Sequence, residues 1–155
     1  MRRQAAARAL PNPGHEALAA LQDYFSELVV VTQNVDGLHQ KAGSRDVSEL
    51  HGNIRRILCF EEHMPVEYRD PTELTAEQLA AIERGEWLPV PLRPRRGRLP
   101  RPDVVWFGEA LPRTALLRAS AAATSCDVCL VVGTSGIVYP AAGLPETAQV
   151  RWSSR

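Results

Sequence analysis

The sequence predicts an α/β fold: a partial Rossmann-like parallel sheet with helices on both faces, interrupted by a small inserted module. Two observations carry that expectation. Residues 28–31 (Leu-Val-Val-Val) and 128–132 (Val-Cys-Leu-Val-Val) are strand-sized runs without a polar residue, and each ends in a polar, glycine-containing turn. Strands apolar at every position suit a parallel sheet covered on both faces. Helical patterns separate the two runs, and strands alternating with helices build sheets of this kind.

The elements follow in order. Residues 1–8 are basic and alanine-rich, but lack the serines of a transit peptide and the apolar core of a secretory signal. They read as a helix with its arginines on the wet face. Asn12 is a good N-cap, Pro13 suits the first helical position, and Leu18, Leu21 and Phe25 form one apolar stripe. The strand at 28–31 stops at Thr32-Gln33-Asn34-Val35-Asp36-Gly37, the carboxyl end at which open α/β sheets place ligands. Thr75 and Gln78 make a capping box for a helix over 75–84, which Gly85 closes. Residues 88–102, rich in Pro and Arg, read as an irregular loop. Residues 103–107 form a short extended segment ended by Gly108, and a helix runs through Leu116 and Leu117 toward Ala123. The second apolar strand, 128–132, ends at Gly133-Thr134-Ser135-Gly136. No internal repeat is present.

Composition excludes several classes. The 155 residues suffice for one domain with its own core. Eighteen basic residues balance eighteen acidic ones, so no net field draws the chain toward nucleic acid or a membrane. No apolar run reaches the length of a membrane span. The basic set is nearly all arginine, with Lys41 as the one lysine. The five arginines from Arg93 to Arg101 lack interleaved aromatics and read as a solvated loop. Three cysteines are too few for a disulfide framework, so a reducing, cytoplasmic setting is the expectation. Cys126 and Cys129 have zinc-ligand spacing but lead into an apolar strand, and are expected to be core residues.

Some residues carry more than pattern. Thr32-Gln33-Asn34-Val35-Asp36-Gly37-Leu38-His39 is followed by Ala42-Gly43-Ser44 and by Glu49-Leu50-His51-Gly52. Three further blocks keep order and spacing: Pro11-Asn12-Pro13-Gly14-His15; Pro102-Asp103-Val104-Val105-Trp106-Phe107-Gly108-Glu109; and Val132-Gly133-Thr134-Ser135 running on to Val138-Tyr139-Pro140-Ala141-Ala142. Together they resemble the sirtuin family along nearly the whole chain. The resemblance implies an NAD-dependent protein-lysine deacylase, in which the acyl oxygen of a modified lysine attacks the anomeric carbon of NAD and nicotinamide leaves. His51 matches the family's catalytic histidine, and a neutral imidazole is the side chain best poised to activate a ribose hydroxyl near neutral pH. Asn34 and Asp36 match positions lining the nicotinamide-ribose pocket, and Gln33 a ribose contact. Gly133, Thr134 and Ser135 match a second cofactor-contacting turn. Val104, Val105, Phe107, Gly108 and Glu109 match the segment that pairs with an acyl-lysine peptide as an added strand. Phe107 would wall the acyl channel. His15 and His39 match family positions too, with structural hydrogen bonding as their expected role.

The sequence also departs from the family. Sirtuins open with a strand and a loop carrying Gly-Ala-Gly-Ile-Ser, whose amides hold the pyrophosphate; nothing here matches, and the carboxyl end is short. The expectation is a fragment, and a truncated, inactive remnant with weak peptide binding is the alternative to an enzyme. The family's zinc module has two Cys-x-x-Cys pairs. Here Cys59 alone falls at a ligand position, beside His63, while Arg93 and Arg96 stand where the second pair belongs. No zinc or other metal is expected. The resulting division is an incomplete Rossmann-like domain at 1–55 and 103–155, with a degenerate zinc-module-like insertion at 56–102. Arg2 falls where a desuccinylase-like branch carries an arginine for acidic acyl groups.

Overall fold

The computed structural model describes residues 2–59 and 100–152. The helix expected at 75–84 and the positions of His63, Arg93 and Arg96 lie outside those residues.

The amino-terminal helix α1 spans Arg2–Arg8 and packs against strand β3 (Gly52–Cys59), where Arg3 Nη2 donates to Arg55 O at 3.2 Å. Helix α2 spans Pro13–Leu21. Its start is the capping box that Asn12 announces, completed by a residue the sequence did not single out for it. Asn12 Oδ1 accepts the His15 N–H at 3.1 Å, and the Asn12 N–H donates back to His15 Nδ1 at 3.3 Å. The expected stripe is cut short. The helix ends at Leu21, and Phe25 lies beyond it and is exposed. Gln22 turns inward instead and is buried, donating to Ala19 O at 3.1 Å and accepting the Arg45 N–H at 2.7 Å.

Strand β1 (Val30–Thr32) pairs in parallel with β2 (Val47–Glu49), in the register Val30 to Val47 and Thr32 to Glu49. A parallel pair needs a crossover, and the chain between the two strands carries helix α3 (Leu38–Lys41). Hydrogen bonding continues past the ladder. Leu50 N–H donates to Thr32 O at 3.0 Å, and Ile54 N–H donates to Val35 O at 2.8 Å. The polar turn after β1 is thereby tied to the chain that follows β2.

β3 and β4 (Pro100–Val104) form a second, antiparallel pair that the sequence did not reveal. Part of the expected Pro- and Arg-rich loop is therefore a strand. Pro100 and Pro102 supply no N–H, which an edge strand tolerates, and among the described residues β4 pairs with β3 alone. The register slips between Asn53 and Ile57, leaving a bulge on β3.

Helix α4 (Arg113–Ser125) occupies the predicted place and packs against β2 and helix α5 (Leu144–Trp152). Ser48 Oγ donates to Ala115 O at 2.9 Å, and Arg118 pairs with Asp46 at 2.6 Å. Leu50, only 1% exposed, forms the core with Ala119 and Ala141, against which Leu111, Ala115 and Leu144 pack.

The second apolar run departs from expectation. Residues 128–132 form no strand, and Val128, Leu130, Val131 and Val132 are exposed. A strand exists by pairing, and no described strand lies beside this run. Cys129 is likewise exposed and Cys126 only half-buried, so neither is the core residue the sequence suggested. The first run is buried at Val30 and Thr32 but open at Val31, so its two faces are not both covered.

Gly52 has the closest approach among the described glycines. Its φ is 78°, and a Cβ there would lie 2.2 Å from the backbone oxygen of Asp103. A side chain would meet both an unfavourable backbone region and an immovable carbonyl. Gly52→Ala is expected to lower the unfolding free energy by about 3 kcal/mol or more, measured by urea denaturation; an unchanged midpoint would contradict the close approach.

Candidate functional site

His51 sits on the tight turn joining β2 to β3, between buried Leu50 and Gly52. Its backbone oxygen accepts the Val105 N–H at 3.0 Å, which couples the turn to the segment following β4. The ring is half-buried, and Nδ1 lies 3.0 Å from Gln33 O. A carbonyl oxygen only accepts, so Nδ1 carries the proton. In the neutral ring the lone pair is then on Nε2, the arrangement a general base needs.

Gln33 contributes twice. Its backbone orients His51, and its side chain Nε2 donates to Thr134 Oγ1 at 3.1 Å, across 101 positions of sequence. The two turns read from the sequence as cofactor contacts are therefore neighbours in space. Thr134 Oγ1 also accepts the Gly136 N–H at 3.2 Å. Gly133 and Gly136 both have φ near 65°, and a Cβ at either would meet nothing within 4 Å. Backbone at Gly133 is thus open to close approach. Asn34 is exposed, with its N–H held by Thr32 Oγ1 at 3.1 Å. Asp36 Oδ1 accepts the Leu38 N–H at 2.9 Å and so fixes the entry to α3, a turn role it fills whatever else it binds.

The 104–109 segment divides into two parts. Phe107 and Gly108 are exposed, and Gly108 adopts φ 88° with open space about it. Glu109, itself exposed, turns to buried Arg101, whose Nη1 and Nη2 donate to its two carboxylate oxygens at 2.6 and 2.9 Å. It also accepts the Trp106 N–H at 2.9 Å. Arg101 is only 5% exposed, donates to Val104 O at 2.8 Å, and stacks 3.9 Å from the Trp106 ring centre. The bonds to Glu109 are the main influence holding its guanidinium above the ordinary arginine range, against the effect of burial. Sequence reasoning placed Arg101 in a solvated arginine run and missed it. The one available signal was its position between two prolines, apart from the other four arginines. Beside this segment an open cleft of about 790 Å³ lies between Val105, Glu49 and Ala115. Arg2 opens α1, and its side chain lies outside the described set.

His15 and His39 lie against each other, ring centres 4.7 Å apart. His15 is hydrogen-bonded to Asn12, as expected for a structural role, whereas buried His39 Nδ1 has no partner among the described residues. Burial first, then His15, pull the His39 pKa below its ordinary value, against a smaller upward pull from Asp36. The unfolded chain therefore binds this proton more readily than the folded one, so the stability contribution is present above about pH 6.5 and is lost as pH falls below it. Urea midpoints are expected to fall between pH 7.5 and 5.5, with a shallower fall in His39→Gln; equal slopes would contradict this.

Comparison with known proteins gives the family. The Sir2 family matches residues 1–140. An NAD-dependent protein deacylase of Thermococcus kodakarensis is 48% identical over 144 residues, covering 93% of this chain and 53% of that protein. Its counterpart from Pyrococcus furiosus is 50% identical over 140 residues, covering 88% and 52%. Among solved structures, a mutant Sir2 homologue with ADP-ribose superposes with a TM-score of 0.81 at 38% identity, covering 97% of this chain and 55% of that one. Sir2 with a p53 peptide and NAD+ superposes with a TM-score of 0.74 at 37% identity, covering 94% and 56%. The chain spans about half the length of the relatives it matches. Its fold is the Rossmann-like α/β fold of these structures, and the chain belongs to the Sir2 family.

Proposed function

We propose that this chain is the histidine-bearing part of an NAD-dependent protein-lysine deacylase. The observation that carries the reading is the His51 Nδ1 contact to Gln33 O, which leaves Nε2 as the basic nitrogen beside the Gln33–Thr134 pair. When bound, NAD supplies an electrophilic anomeric carbon and a nicotinamide leaving group. His51 takes a proton from a ribose hydroxyl. Gln33, Asn34 and Asp36 line the nicotinamide-ribose side, and Gly133, Thr134 and Ser135 offer backbone and hydroxyl contacts to the cofactor. Val104, Val105, Gly108 and Glu109 form the segment along which an acyl-lysine peptide is laid, and Phe107 walls the acyl group. Arg2 is the candidate partner for an acidic acyl group.

The division into a catalytic part at 1–55 and 103–155 and an insertion at 56–102 belongs to the same reading. Buried Cys59 is a free thiol at the edge of that insertion, and zinc has no part in the chemistry proposed. Among the described residues no helix is long and apolar enough to cross a membrane, and a sequence with three cysteines suits a cytoplasmic setting.

The test is calorimetric NAD binding by the 155-residue chain, followed by deacylation of acetyl- and succinyl-lysine peptides. Saturable binding weakened by Asn34→Ala is expected, with His51→Ala lowering turnover by about a hundredfold to ten-thousandfold. No binding by the folded chain would overturn the reading.

A further inference from the structure

Two residues before His51 stands a carboxylate that the proposed chemistry does not use. Glu49 ends β2, and its side chain is 8% exposed. A buried carboxylate is costly unless every lone pair is engaged. Here Oε1 accepts from Gln40 Nε2 at 2.8 Å and Asn53 Nδ2 at 2.6 Å, and Oε2 accepts from Arg56 Nη1 at 2.6 Å. Each donor comes from a different part of the site. Gln40 lies on α3, behind the Gln33–Asp36 turn. Asn53 lies beside that turn, since a Cβ at Gly37 would sit 3.0 Å from its Nδ2. Arg56 lies in the β3 bulge and reaches across to Asp103 Oδ2 at 2.7 Å, where the register slip removes ladder hydrogen bonds. Burial works against the Arg56 charge, and the bonds to Asp103 and Glu49 outweigh it, so the guanidinium remains a cation.

The three surfaces that must keep their spacing around His51 thus meet at one carboxylate: the α3 side of the first turn, the β3 bulge, and β4 leading to Val104 and Val105. We propose that Glu49 is the positioning residue of the site, and that through Gln40, Asn53 and the Arg56–Asp103 bridge it holds His51 Nδ1 on Gln33 O and fixes the gap between His51 and the Val104–Val105 segment. Nothing in this role requires Glu49 to touch substrate. It rests on the deacylase reading only for its effect on turnover; its effect on the His51 ring stands apart from that reading.

The test uses Glu49→Gln and Arg56→Gln in the full 155-residue chain. Arg56 is half-exposed, so its substitution leaves a foldable chain if the first does not. Side-chain nitrogen spectra of His51 report which ring nitrogen carries the proton. The wild-type chain is expected to show the Nδ1–H form, and the variants a mixture with the Nε2–H form at unchanged helix content. On acyl-lysine peptide, kcat is expected to fall by about tenfold to a hundredfold with KM for NAD within about twofold. Arg56→Lys, which keeps the charge, is expected to recover part of that loss. An unaltered His51 spectrum in folded variants would overturn the proposal. A tautomer shift in a chain whose wild type does not turn over NAD would uphold the positioning and overturn the deacylase reading alone.

Discussion

A backbone carbonyl has only lone pairs to offer, and the placement of Gln33 O at the carboxyl end of β1 decides what His51 can do. That oxygen is not placed by chance. The strand before it is held in register with β2, and the chain after β2 returns to it through the Leu50 and Ile54 amides. Three consecutive attachments, two from backbone and one from the imidazole, sew the polar turn to the histidine turn. Backbone donors near a chemical site are seldom spare. In this molecule the turn whose carbonyls accept the Leu50 and Ile54 amides also supplies the oxygen that meets the His51 ring.

The same economy is visible around the second sheet. β3 and β4 are a short antiparallel pair with an interrupted ladder and two prolines. What the ladder lacks, charged side chains provide. Arg56 bridges the slipped region, and Arg101 folds back on Glu109 beneath the Trp106 ring. Ion pairs contribute little net stability compared with well-packed apolar side chains. Their value here is geometric: both arginines fix backbone within a few residues of Gly52 and Val105, where a small displacement would separate His51 from the Val104–Val105 segment.

Much of this was legible in the sequence, and the reasons are local. Asn12 followed by Pro13 states a helix start without tertiary help. Gln33, His51 and Thr134 were marked by the motifs around them, and the structure joins all three. The antiparallel pair was not legible. Its prolines read as loop, and its pairing depends on Asp103 backbone lying against Gly52, a contact between residues fifty-one positions apart. Residues 128–132 misled in the opposite direction. Their continuous apolarity announces burial, yet a sequence pattern names only the need for a covering surface and not its source. Arg101 was hidden for the same reason, because a charge run says nothing about which member finds a carboxylate.

The single lysine has a chemical corollary. Acyl donors in solution modify amines, and apart from a terminal amine this chain offers one, Lys41. That ammonium donates to Ala9 O at 2.6 Å, joining the end of α3 to the chain leaving α1. Acylation there would remove both the charge and the strength of this tether. Everywhere else the basic surface is guanidinium, which stays protonated and does not accept acyl groups under such conditions.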